Sequence, residues 1–264
     1  VQQNFGVSES AASVLEAFKD LSIAIVSFLV SSYIVRIGYK RAMLIALGFI
    51  TIICFIMPFT ASFFTTKLLF AAVGASFALI KMSVYSTIGL VTKNEKEHIS
   101  LMNFIESFFM IGILTGYFIF SYFVDDSNPQ STAWLNVYYL LGGISLLAFL
   151  LLWSAQLDES SANVSENKSI LNEFKEIYKL AAQPIVGAFV FCAFFYVLIE
   201  QSIMSWLPTF NNKVLLLPAA LSIQMASILA GSTAIGRFLA GIVLKRLNWL
   251  LVLISCLILA AVLV

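Results

Sequence analysis

Residues 66–91 read TKLLFAAVGASFALIKMSVYSTIGLV, an apolar run entered through Lys67 and carrying one deep charge, Lys81. A helix rises 1.5 Å per residue, so about 20 apolar residues cross the ~30 Å hydrocarbon layer of a bilayer. This run is long enough to do so. Backbone groups cannot stay unpaired in lipid, which leaves a helix as the conformation for such a run. Lys81 stands eleven residues before Thr92, a depth of ~16 Å at the helical rise. An ionisable group that deep costs a few kcal/mol or more, so it is expected to be paired or functional.

The pattern repeats on both sides. Candidate spans fall near 11–35, 42–60, 66–91, 99–124, 133–155, 184–208, 217–243 and 248–264. Hydrophobic residues make up 61% of the 264 and charged residues 11%, against about 25% charge in a soluble domain. A bilayer must cover that excess, and the expected class is an all-α polytopic membrane protein with about eight transmembrane helices. The net charge of +1 gives no electrostatic footprint for nucleic acid. Cys54, Cys192 and Cys256 sit in apolar runs without pairing or metal spacing, so they read as small core residues. The chain opens on Val1 and polar residues with no signal-peptide pattern, and is expected to be cut from something longer.

Lysine and arginine set the orientation. Arg36, Lys40, Arg41, Lys93, Lys96, Lys168, Lys175, Lys179, Lys245 and Arg246 fall in alternate connections, whereas the others hold only Lys67 and Lys213. The connections near 36–41, 93–98, 156–183 and 245–247 are therefore expected in the cytoplasm and the N-terminus outside, which implies a preceding helix. The connection 156–183 is long. Its first part, DESSANVSENKS, is polar, and its second sets Ile170, Leu171, Phe174, Ile177 and Tyr178 at helical spacing opposite charged residues. That pattern predicts an amphipathic helix lying on the membrane surface. The expected organisation is a first bundle at 1–155, a linker at 156–183 and the start of a second bundle at 184–264. An internal echo supports it: Phe28-Leu29 through Arg36-Ile37-Gly38-Tyr39 is matched by Phe238-Leu239 through Arg246-Leu247-Asn248-Trp249.

Glu106 lies eight residues after His98, ~12 Å deep from the same face as Lys81. The two differ in depth by about one turn. They read either as a buried ion pair locking the bundle or as a charged substrate or coupling site. Glu200, Gln201 and Trp206 offer a carboxylate, an amide and an indole along one span, a set suited to a polyhydroxylated ligand. The bland alternative is an interfacial Trp before Pro208, which is expected to end or kink the helix. Glu16, Lys19 and Asp20 read as a solvated helix end or an outer vestibule network. Arg237 reads as snorkelling or paired. His98 reads as a solvated loop residue.

Arg36, Gly38, Lys40 and Arg41 resemble a degenerate form of the cytoplasmic G-x-x-x-D-R-x-G-R-K turn of major facilitators. Ser31 stands at the first Gly and Val35 at the Asp, so the charge relay usually assigned to that Asp is not carried over. Two longer stretches resemble the fucose:proton symporter family, which includes glucose/galactose permeases. Phe195-Tyr196-Val197, Glu200, Ser202-Ile203 and Ser205-Trp206-Leu207 are similar to its seventh-helix F-Y-V-G-A-E-x-S-I-x-S-[FW]-L. Asn103, Glu106, Phe109, Gly112 and Gly116 track its fifth-helix L-N-x-x-Q-x-x-N-x-x-G-x-x-x-G, and Gly236-Arg237-Phe238 falls at its eighth-helix G-R-F. The resemblance implies a major facilitator fold fragment, helices two to nine of twelve. At its fourth-helix Glu stands Lys81, at its fifth-helix Gln stands Glu106, and at its fifth-helix Asn stands Phe109. A cation and a carboxylate thus change together, and Lys81 is expected to pair with Glu106 in one state and an anionic group in another.

The function implied is secondary active transport of a small polar solute, a sugar or sugar derivative, anionic ones included. The alternatives are an efflux carrier of another major facilitator branch and a non-transporting, transporter-like sensor. Expected partners are the small-molecule substrate, a coupling proton or cation and the lipid bilayer of a bacterial inner (plasma) membrane, with a monomer as the complete form. No cofactor, metal or catalytic role is expected, because no nucleophile–base pair, metal cluster or phosphate-binding glycine loop is present.

Overall fold

A computed structural model describes residues 6–31, 33–60, 62–125, 128, 131–159, 179–180 and 182–263. The described chain is helical throughout its ordered elements, with no strand among the described residues. In order these are α1 (Glu9–Ser31), α2 (Ile34–Ile37), α3 (Tyr39–Ile56), α4 (Phe63–Val91), α5 (Glu95–Tyr122), α6 (Val137–Ser154), α7 (Pro184–Lys213), α8 (Ala219–Val243) and α9 (Trp249–Leu263). Single 3₁₀ turns extend α3 (Met57–Phe59) and precede α6 (Ala133–Asn136).

Six helices among the described residues are long and apolar enough to cross a membrane: α3 with its 3₁₀ turn, α4, α5, α6 with its turn, α7 and α8. The other two expected spans correspond to α1 and α9. The 23 residues of α1 carry Glu16, Lys19 and Asp20, and α9 has 15 residues. The stretch expected as one span at 11–35 is divided, because α1 stops at Ser31 and α2 is a separate turn. The surface helix expected within 170–179 lies almost wholly outside the described residues.

Helix ends follow local chemistry. Ser62 and Thr65 form a reciprocal capping box at the start of α4, with Thr65 N donating to Ser62 Oγ at 3.1 Å and Ser62 N to Thr65 Oγ1 at 3.0 Å. Asn94 caps α5 by accepting from Glu97 N at 2.9 Å, and Glu95 and Glu97 sit where the helix dipole favours negative charge. The helix therefore begins ahead of His98, which is helical rather than part of a loop. Of the two outcomes expected at Pro208, an end or a kink, the first does not occur: α7 runs on to Lys213. A proline deletes one backbone bond, and the polar turn beyond holds the end in place. There Asn212 Nδ2 donates to Leu217 O at 2.8 Å, Leu217 N donates to Asn211 O at 3.2 Å, and Leu216 takes φ +57°.

Packing sorts the helices into two groups. α4 packs on α1 and α3, and α3 also packs on α6. Cys54, Met57, Leu69, Leu135, Val137 and Tyr138 form one core, while Ile34, Tyr39 and Ala42 form another at the opposite end. Gly74 lets α4 approach the α1 backbone, since a Cβ there would collide with Lys19 O. α5 touches α4 little and packs instead along α8, which also meets α7. The α5–α8 seam carries small buried residues: Ala226, Ala230, Ala234 and Gly241 on α8, and Ser100 and Ser107 on α5. Small residues let backbones come close where lipid supplies no hydrophobic drive between helices. Hydrogen bonds tie both ends of the seam, Ser100 Oγ to Gly241 O at 3.0 Å and Gln224 Nε2 to Ser121 Oγ at 3.2 Å.

Candidate functional site

Four ionisable side chains from four helices meet in the spans. Lys81 on α4 sets its Nζ 3.2 Å from Glu106 Oε1 on α5. The other Glu106 oxygen accepts from Arg237 Nη1 on α8. The second arm of the same guanidinium, Nη2, lies 3.6 Å from Glu200 Oε1 on α7. A planar fork that points two nitrogens at two carboxylates is a geometry lysine does not offer. The order of contacts is linear, Lys81–Glu106–Arg237–Glu200, and the charges alternate and cancel. Glu106 is buried, with Glu200 and Arg237 partly so, whereas the Lys81 side chain is 38% exposed. Burying one ion of such a set is costly, and each carboxylate here has a cation beside it.

Aromatic rings surround the Lys81 ammonium. Phe77 and Tyr85 lie one turn to either side on α4, with ring centroids 5.4 and 5.3 Å from Nζ. Phe109 of α5 is 5.7 Å away and packs on Phe77 at a centroid separation of 5.7 Å. These distances lie in the range where a ring face attracts a cation. On α7, Tyr196 is one turn from Glu200.

The residues singled out from sequence are thus divided. Lys81, Glu106, Phe109 and Glu200 come together. Arg237, whose role was left as snorkelling or pairing, is the central link of the chain and was missed as a member of it. Its signal in the sequence was an arginine inside an apolar run with two carboxylates free to meet it. Asn103 stays outside the cluster: its amide donates to Ile99 O one turn back at 2.8 Å, and its Cβ faces Gly241 in the seam. Gln201 and Trp206 turn away from Glu200 and line a separate cavity of about 700 Å³ between α1 and α7, across from Glu16 and Asp20. Lys19 pairs with Glu16 and lies 3.7 Å from Asp20. Among the described residues no group of three His, Cys, Asp or Glu side chains is arranged to hold a metal.

The basic turn before α3 holds a carboxylate after all, supplied from a distant part of the chain. Glu159 accepts from Tyr39 N at 3.1 Å and Lys40 N at 2.7 Å, capping the first turn of α3. Gly38 makes room for it with φ +88°, and a Cβ there would fall 2.9 Å from Glu159 Oε2. Lys40 Nζ donates in turn to Trp153 O at 3.0 Å and Ala155 O at 2.5 Å at the end of α6. Arg36 and Arg41 line the same small cavity as Glu159. Val35 still stands at the Asp position of the turn, and the carboxylate comes from elsewhere in the sequence. An anion at a helix start satisfies free N–H groups wherever in the sequence it comes from.

The model of the family described as Major Facilitator Superfamily matches residues 1–264. No curated protein matches the chain.

Proposed function

The chain belongs to the major facilitator superfamily of membrane transporters, and from that premise we propose that it moves a small polar solute, a sugar or sugar derivative, by alternating access. The observation that carries the reading is the neutral chain of four charges inside the spans. Such groups are expensive in a bilayer and are kept where a pathway or coupling step uses them. In this reading residues 1–155 form the first bundle, 156–183 the linker and 184–264 the start of the second. The Glu106–Arg237 contact then crosses between bundles and joins a neutral pair in each, Lys81–Glu106 in one half and Arg237–Glu200 in the other. Each half stays neutral, so the bundles can rock without stranding a charge. The N-terminus faces outward, with the turns at 36–41, 93–98 and 245–247 in the cytoplasm. The similarity of Phe195 through Leu207 to the fucose:proton symporter pattern supports a sugar-like solute and a coupling proton or cation.

The test is a ligand screen on the full chain in detergent with neutral hexoses, deoxysugars, sugar acids and small carboxylates, followed by counterflow in proteoliposomes. A ligand at a hundredfold excess over its Kd stabilises the folded state by about 2.7 kcal/mol. The expected outcome is a stabilising solute that also exchanges across the vesicle membrane. A solute that binds and never crosses would replace the carrier with a sensor.

A further inference from the structure

Resting on that reading, we propose that the transported solute is a sugar acid, whose carboxylate seats on Lys81 by taking the place of Glu106. The order of contacts favours an anion at Lys81. Glu106 and Arg237 are the inner members of the chain, each with two ionic partners, while Lys81 and Glu200 are its ends, each with one. An incoming anion that takes Lys81 leaves Glu106 still held by Arg237. No carboxylate is stranded, and the exchange replaces one ion pair with another. Taking Arg237 instead would leave Glu200 without its cation, although Glu106 would keep Lys81.

Access points the same way. The Lys81 side chain is 38% exposed, against 26% for Arg237 and 19% for Glu200. The open end of the chain is therefore its cationic end. A cationic solute would have to reach Glu200, the more covered end.

The rings around Lys81 narrow the class further. Phe77, Tyr85 and Phe109 place three aromatic faces 5.3–5.7 Å from the ammonium. A flat face suits the C–H side of a pyranose ring, and Tyr85 adds a hydroxyl for the ring's polar edge. A short carboxylate would use the ammonium and leave the rings idle. A neutral hexose would use the rings and leave the ammonium on Glu106.

The experiment uses the full chain in proteoliposomes, with radiolabelled D-glucuronate, D-glucose and acetate as probes. Counterflow is measured for the wild type, Lys81→Gln and Lys81→Arg, with thermal shifts of the wild type in detergent as a readout that needs no variant. The expected result is saturable glucuronate exchange, an apparent affinity weakened about tenfold or more in Lys81→Gln, and partial recovery in Lys81→Arg. Glucose exchange equal to that of glucuronate and unchanged in Lys81→Gln would overturn the proposal while leaving the carrier reading intact. Acetate competing as strongly as glucuronate would overturn the sugar-acid assignment. No exchange of any probe, with no thermal shift, would overturn the proposal and leave the carrier reading to the wider ligand screen.

Discussion

Glu106 faces two cations at once and is the most covered of the four charges, so its neutralisation is the most expensive single change in the central cluster. Glu106→Gln leaves Lys81 and Arg237 both short of a carboxylate, and a loss of about 3–5 kcal/mol is expected from breaking a largely buried set from one side. Chemical or thermal unfolding in detergent measures it. The double variant Lys81→Gln/Glu106→Gln should lose less than the sum of its single changes, because it removes one charge of each sign. The depth of this pair was legible in sequence, since counting residues from the basic loops put Lys81 and Glu106 about one turn apart. Arg237 was not legible as their partner, because counting along one helix does not say which helix faces it. Gln201 was grouped with Glu200 by adjacency, yet neighbours on a helix point about 100° apart, and the two side chains serve different spaces. Asn103 was grouped by family pattern, and its amide is used instead by its own helix.

At the scale of elements, hydropathy located the spans to within a few residues, because length and apolarity are properties of each segment alone. What it left out was how helices end and how close they come. α7 outlasts Pro208 because the Asn211–Leu217 turn anchors it, and that anchor lies beyond the window in which a proline reads as a stop. The expected effect of Asn212→Ala is a loss of about 1 kcal/mol, seen as a lower melting temperature. Gly74 marks the closest approach of α1 and α4. Gly74→Ala would push its methyl into Lys19 O, which is backbone and cannot rotate aside. The helices must part, at about 1–3 kcal/mol, and a thermal melt should register that loss. The same change at Gly89, where nothing lies within 4 Å, should be nearly silent.

Over the whole molecule, the two proposed bundles, residues 1–155 and 184–264, meet along a tight seam on one side and across open space on the other. α5 and α8 are joined from Ser100–Gly241 to Ser121–Gln224, whereas α1 and α7 flank a cavity of about 700 Å³. A rocking motion should therefore turn about the seam and open or close the cavity. After replacement of Cys54, Cys192 and Cys256, a cross-link between cysteines at 121 and 224 should leave counterflow largely intact. One between cysteines at 16 and 201 should abolish it. Equal inhibition by both would show that the seam itself moves. No part of this asymmetry was readable from the sequence, because seam and cavity are made by pairs of helices far apart in the chain.

The carboxylate that caps α3 has a further consequence, in time rather than space. Glu159 is synthesised 120 residues after Tyr39, whose N–H it receives. At ~5–20 residues per second, the turn with Arg36, Lys40 and Arg41 exists for on the order of ten seconds before its anion leaves the ribosome. During that interval the three cations stand at the helix start without the carboxylate that caps it. Arrival of Glu159 then binds the earliest turn to the end of α6. The bond closes only when every helix between them has been placed, so its formation marks completion of that part of the molecule during synthesis.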